Sequence, residues 1–164
     1  MKMNTTEPDI NRIVREYGDS LYRMAFLYLN DVHLAQDAVQ DTLLKLYTTK
    51  SPFQGGSSEK TWIMRILINT CKNYRRTNWW RRTDVLSAIE QVPINDPEPA
   101  GDELITHIMR LRPKYKEVIL LYYYQELKIR EIAKVLHCPE STVSVRLKRA
   151  RESLKSMLKE EFSE

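Results

Sequence analysis

Only four glycines and two cysteines occur in 164 residues, and no long apolar run is present. So little glycine excludes a collagen-like or low-complexity chain. Cys71 and Cys138 lie far apart without metal-type spacing, which excludes a disulfide scaffold and a cysteine-rich zinc site. They are expected to be two buried, reduced thiols. No segment approaches the roughly eighteen apolar residues of a membrane span. The opening MKMNTTEPDINRIVREY lacks the basic-then-apolar layout of a signal peptide, so a cytoplasmic protein is expected. His33, His107 and His137 are scattered and are expected on the surface or in turns. There is no HExxH, no Cys/His cluster and no supported Ser-His-Asp set, so neither catalysis nor a metal or cofactor is expected. The only Gly-Gly pair, in SPFQGGSSEK, lacks the following lysine of a phosphate-cradling loop.

A hydrophobic content of 42% indicates a folded chain. The net charge of +4 conceals an uneven distribution. Residues 1–82 hold 13 Lys and Arg against 8 acids, residues 83–103 hold none against six, and residues 104–164 again hold 13 against 8. Two basic modules thus flank an acidic connector. The connector also gathers Pro93, Pro97, Pro99 and Gly101, the composition of an extended, flexible linker.

The rest of the chain is periodic at the helical spacing, and nothing alternates as a strand. Ile10, Ile13, Val14, Tyr17, Leu21, Met24, Ala25 and Leu29 form a stripe through a first helix or pair of helices. Asn30 and Asp31 break it and cap a second helix over about 32–48, with Leu34, Ala38, Val39, Leu43 and Leu46 inward. A third begins near Lys60 and ends in the basic, aromatic tract CKNYRRTNWWRR. A short helix over about 102–111 and another opened by Pro113 follow. The expectation is an all-α protein: two small helical domains, 1–82 and 104–164, joined by the flexible acidic linker 83–103, the C-terminal one containing a helix-turn-helix.

That last motif spans Lys128 to Lys155. Ile129, Ile132, Ala133 and Leu136 make one apolar face, His137 and Cys138 occupy the turn, and Pro139 suits the first position of the next helix. His137 stands where many such turns place glycine, because the position often needs a positive φ. Val143 and Leu147 turn inward; Ser144, Arg146, Lys148, Arg149 and Arg151 fall on the other faces. This is either a DNA-reading helix or a helical hairpin with a solvated basic side. In residues 72–82, five cations interleave with Tyr74, Trp79 and Trp80 without an acid. Cations neutralise phosphates and aromatic faces stack on unpaired bases, at about 1–3 kcal/mol each. The same pattern also fits a helix end whose aromatics pack on its own core. Asp37, Gln40 and Asp41 share one helical face, which is either solvated or a dock for another protein's basic helix.

Three segments together, DAVQDTLLKLY (37–47), FQGG…KTWIMRILINTCKNYRR (53–76) and EIAKVLHCPESTVSVRLKRAR (131–151), resemble the extracytoplasmic-function sigma factors of bacterial RNA polymerase. The resemblance covers nearly the whole chain. It implies a factor that binds core polymerase and directs promoter-specific initiation. It assigns Asp37, Gln40 and Asp41 to the polymerase clamp helices. It assigns Phe53, Gln54, Lys60, Trp62, Asn69, Lys72, Arg75 and Arg76 to the −10 element, the 53–60 loop capturing a flipped base. Thr142, Ser144, Arg146, Lys148 and Arg149 fall to the −35 element; Ser144, Lys148 and Arg149 face bases, and Arg146 holds phosphate or packs. Implied partners are core polymerase (clamp helices and flap), promoter DNA and an anti-sigma factor, often membrane-anchored in relatives. Two other classes compete: a conventional helix-turn-helix regulator with an N-terminal sensing or dimerising domain, and an interaction protein that sequesters a partner without reading DNA.

Overall fold

Asn30 and Asp31 separate the first two helices. In the computed structural model, which describes residues 9–49, 58–85 and 103–162, Asn30 takes the left-handed conformation (φ 55°) that ends α1 (Ile10–Leu29), and its N–H reaches the Phe26 carbonyl at 2.7 Å. The Asp31 carboxylate then accepts from the Leu34 N–H at 2.9 Å and starts α2 (Val32–Thr48). Both are short polar side chains suited to these positions. α3 (Glu59–Val85) opens on Ser58, whose hydroxyl accepts from the Thr61 N–H at 3.1 Å. It runs without a break through the basic, aromatic tract. Arg12 pins its first turn, with its two terminal nitrogens 2.9 and 2.6 Å from the Glu59 carboxylate oxygens, and the Tyr17 hydroxyl adds a bond at 3.2 Å.

These three helices pack on one another around Ile13, Leu21, Met24, Leu46, Ile63, Met64, Leu67 and Ile68, all essentially without solvent contact. Each such side chain contributes about 1.5–3 kcal/mol on burial. The expected stripe of α1 is narrower than its sequence suggests, because Val14 is 45% exposed. It lies about 100° around the helix from Ile13, off the line that carries Leu21 and Met24 inward.

The C-terminal unit comprises α4 (Glu103–Arg110), α5 (Pro113–Ile119), α6 (Ile129–Leu136) and α7 (Glu140–Phe162). A π-helical turn, Leu120–Tyr124, continues α5 and closes with the Gln125 N–H on the Leu120 carbonyl at 3.1 Å. α4, α5 and α6 all contact α7. His107 is a correction to the surface expectation: it is 3% exposed, since α4 is eight residues long and turns Ile105, His107 and Ile108 inward together. Cys71 is buried and Cys138 half-buried; both are free thiols, and burial pushes Cys71 up to about 12. The linker expected over 83–103 falls mostly outside the described residues, as do Phe53, Gln54 and the side chains of Trp79 and Trp80. Among the described residues no helix is long and apolar enough to cross a membrane.

Candidate nucleic-acid interface

The turn between α6 and α7 sets the aim of α7. His137 adopts φ 54°, ψ 47°, the left-handed geometry expected of it, and the Cys138 N–H reaches back to the Ala133 carbonyl at 3.1 Å. Lys128 offers no acceptor as a cap, so Glu131 completes only half of a capping box, accepting from the Lys128 N–H at 3.3 Å. Pro139 precedes α7 instead of opening it. Its carbonyl accepts from the Thr142 and Val143 N–H groups at 3.0 and 3.3 Å, which makes it the cap. Val143, Leu147 and Ala150 are then buried, while Ser144, Lys148 and Arg149 are exposed and Thr142 and Arg146 half-buried. Val145, 47% exposed, lies on the same outward side. The sequence reading missed it, although an apolar residue off the 143–147–150 line was the available signal.

On α2, Asp37 and Gln40 are exposed and Asp41 is half-buried. The Tyr74 hydroxyl donates to the Asp41 carboxylate, and that bond, with burial, pushes the phenol up to about 12. The face continues through Leu44 and Tyr47, 60% and 56% exposed, neither of which the sequence reading singled out. A polar stripe running into two exposed apolar side chains has the make-up of a docking surface.

α3 divides its candidates between two faces. Trp62 and Ile66, half-buried, lead to exposed Asn69, Asn73 and Arg76 along one side, and Arg76 donates to the Asn73 side-chain oxygen at 3.0 Å. Lys60, half-buried, sits at the start of the helix. Lys72 and Arg75 lie towards the seam with the C-terminal unit, and Arg76, between the two faces, borders that seam as well. The Lys72 ammonium lies 3.7 Å from Glu117, and the Arg75 guanidinium covers the Tyr28 ring at 5.8 Å.

That seam is polar and largely buried. The Tyr28 hydroxyl donates to Glu117 at 2.8 Å, and the Lys116 ammonium donates to the Tyr28 and Met109 carbonyls at 3.0 and 3.3 Å. Burial, reinforced by Arg75, lowers Lys116 to about 8, and burial raises Tyr28 far above its ordinary value. Further along, Gln125 donates to the Ser20 carbonyl at 3.4 Å, and Arg65 to His137 at 3.2 Å. The seam therefore brings Lys72, Arg75 and Arg76 of α3 beside Arg146 of α7, around a cleft of about 560 Å³. The sequence had given these cations to separate DNA elements. A second concavity, about 710 Å³ and mainly apolar, lies against α7 between Leu104, Ile108, Ile119, Tyr123 and Leu154, with Arg151, Lys155 and Lys159 on its rim. Among the described residues no cluster of three His, Cys, Asp or Glu is placed to hold a metal.

Two family models match the chain: sigma-70 region 2 over residues 13–81 and sigma-70 region 4 over residues 102–154. The chain is 30% identical to the RNA polymerase sigma-H factor of Pseudomonas aeruginosa, over 89% of its own length and 84% of that protein. It is 29% identical to the ECF RNA polymerase sigma factor SigW of Bacillus subtilis, over 90% and 88% of the two chains. Among solved structures, the sigma factor RpoE in complex with the anti-sigma factor NepR from Bartonella quintana is similar with a TM-score of 0.73 and 25% identity, covering 92% of this chain and 97% of that one. CnrH, in complex with the cytosolic domain of CnrY, shares the fold with a TM-score of 0.67 at 22% identity, over 92% and 87%.

Proposed function

This chain belongs to the extracytoplasmic-function sigma factors of the sigma-70 family, which direct promoter-specific transcription, and we propose on that premise how its surfaces divide the work. Residues 1–82 grip polymerase and handle the −10 element, residues 104–164 read the −35 element, and residues 83–103 link them. Asp37, Gln40 and Asp41 meet the clamp helices, and Leu44 and Tyr47 extend the contact by apolar burial. Tyr74 fixes the Asp41 carboxylate, so one docking group is preorganised. The apolar groove beside α7 takes the flap contact.

At the promoter, α7 enters the −35 major groove with Ser144, Lys148 and Arg149 towards base edges and Thr142 and Arg146 nearer the phosphates. Val145 offers its methyls to a thymine methyl. Phe53, Gln54, Lys60, Trp62 and Asn69 serve the unpaired −10 base, whose extrusion costs a few kcal/mol offset by stacking and pocket contacts. Arg76 joins that face directly. Lys72 and Arg75 reach phosphate only after the seam with Glu117 and Tyr28 opens. Two modest contacts joined through polymerase then act with a raised effective concentration. The factor acts in the cytoplasm. An anti-sigma factor, soluble or membrane-anchored, holds it off; the likeness to a sigma factor bound by its anti-sigma factor supports this.

The observation that carries the reading is the exposed Ser144–Lys148–Arg149 face of α7, set in one chain with the Asp37–Gln40–Leu44 face of α2. Core polymerase given this protein should yield transcripts from discrete starts in a run-off assay, and polymerase alone should not. Tight, specific promoter binding by the protein without polymerase would instead identify a conventional regulator.

A further inference from the structure

Six cations from both units converge on the 560 Å³ cleft: Lys72, Arg75 and Arg76 from α3, Arg112 and Lys114 from the start of α5, and Arg146 from α7. Among the described residues one carboxylate faces them. Glu117 is almost wholly buried, already accepts the Tyr28 hydroxyl at 2.8 Å, and lies 3.7 Å from Lys72. The partners of three others carry no charge. Arg75 covers the Tyr28 ring, Lys114 the Tyr115 ring at 5.1 Å, and Arg76 bonds the Asn73 amide oxygen. Among the described residues Arg112 and Arg146 have no carboxylate within ion-pairing distance. Like charges focused in a cleft raise its potential by several kT and draw in an anion. Lys116, behind the cleft, is lowered first by its burial and then by the positive charge of Arg75.

We propose that this cleft binds an oligophosphate, a compact anion with three or more negative charges, and that the bound anion holds the two units together. Four of the six cations are arginines, whose planar forks pair with phosphate oxygens in bidentate fashion. Their origin on three helices suits a short chain of phosphates better than one phosphate, which cannot reach all of them. A cleft of this volume also excludes duplex DNA. Since Lys72, Arg75, Arg76 and Arg146 are the residues given above to the promoter, an oligophosphate there competes with DNA; this consequence, unlike the binding itself, rests on the promoter reading.

The test is calorimetric titration of the full chain, without DNA or polymerase, so that its outcome is independent of the sigma assignment. The probes are inorganic tripolyphosphate, orthophosphate and a nucleoside triphosphate at about 0.15 M salt. Tripolyphosphate should bind at one site, with orthophosphate weaker by about tenfold or more, the loss of at least one charge-assisted bond. A nucleoside triphosphate that binds more tightly than tripolyphosphate supports the site and identifies a nucleotide as its source. Equal or weaker binding supports recognition of the phosphate chain alone. Arg112 and Lys114 are exposed and outside the promoter assignment. The double variant Arg112→Ala/Lys114→Ala, checked for retained helicity, should weaken tripolyphosphate by a further tenfold or more, about 1.4 kcal/mol. Arg15→Ala, an exposed cation of α1 outside the cleft, should leave binding unchanged. Absence of saturable binding, or equal affinities for the double variant and Arg15→Ala, would overturn the proposal.

Discussion

Glu59 governs how α3 is attached to the rest of its unit. Arg12 bonds both its oxygens, and these bonds hold the acid below its ordinary value of 4.5. An acid with a lowered folded value adds stability above its unfolded value, and that stability is lost as pH falls through the folded one. The thermal midpoint should therefore drop as pH falls below about 4.5. Glu59→Gln should lower the midpoint at pH 7 and flatten that acid limb in melts taken at several pH values. An undiminished limb in the variant would assign it to other carboxylates. This pairing was not legible in the sequence, because 47 positions separate Arg12 from Glu59 and no local pattern joins them. The left-handed turn at His137 was legible, since two apolar helical runs can only be reversed in so few residues by a residue that tolerates positive φ. Its partner, Arg65, was not.

Among the helices, α2 and α7 each turn one face inward and leave the other open to solvent. Asp37 is exposed and makes no contact that the fold needs, whereas Asp41 holds Tyr74, so Asp37 gives the cleaner test of α2. Asp37→Arg should abolish co-purification with core polymerase at unchanged thermal stability; unaltered recovery would remove the docking assignment. On α7, Arg149→Ala should cost about 1–3 kcal/mol at one −35 base pair if it contacts a base edge. A uniform loss across −35 variants in binding assays would make it a phosphate contact. Hydrophobic period exposed the inward faces of both helices, with Ala38, Leu46, Val143 and Leu147 all buried as expected. On α1 it misjudged Val14, and it left Leu44, Tyr47 and Val145 unassigned, because periodicity marks the inward line and says nothing of exposed apolar side chains off it. Leu44, placed between Leu43 and Leu46, is the clearest case.

For the molecule as a whole, the seam between the two units responds to pH. Lys116, lowered from 10.5 to about 8, is protonated more fully in the unfolded chain above pH 8, so stability rises with pH there. Cys71 and Tyr28, raised from 9.0 and 10.0, act oppositely: their stability is complete below those values and lost above them. The net gain is confined to about pH 8–9. The thermal midpoint should climb across that interval in the parent protein and stay level in Lys116→Met. An equal climb in the variant would exclude Lys116 as its source. The Lys72 ammonium beside Glu117 also alters how ions enter the energetics of DNA binding. If Lys72 takes up the proposed phosphate contact, a sodium ion is freed from DNA but Glu117 is left to recruit one from solution. The slope of log affinity against log salt should then be shallower, by up to about 0.9, than the count of phosphate contacts gives. On the proposed reading, an ion pair inside the protein partly shields promoter binding from changes in salt.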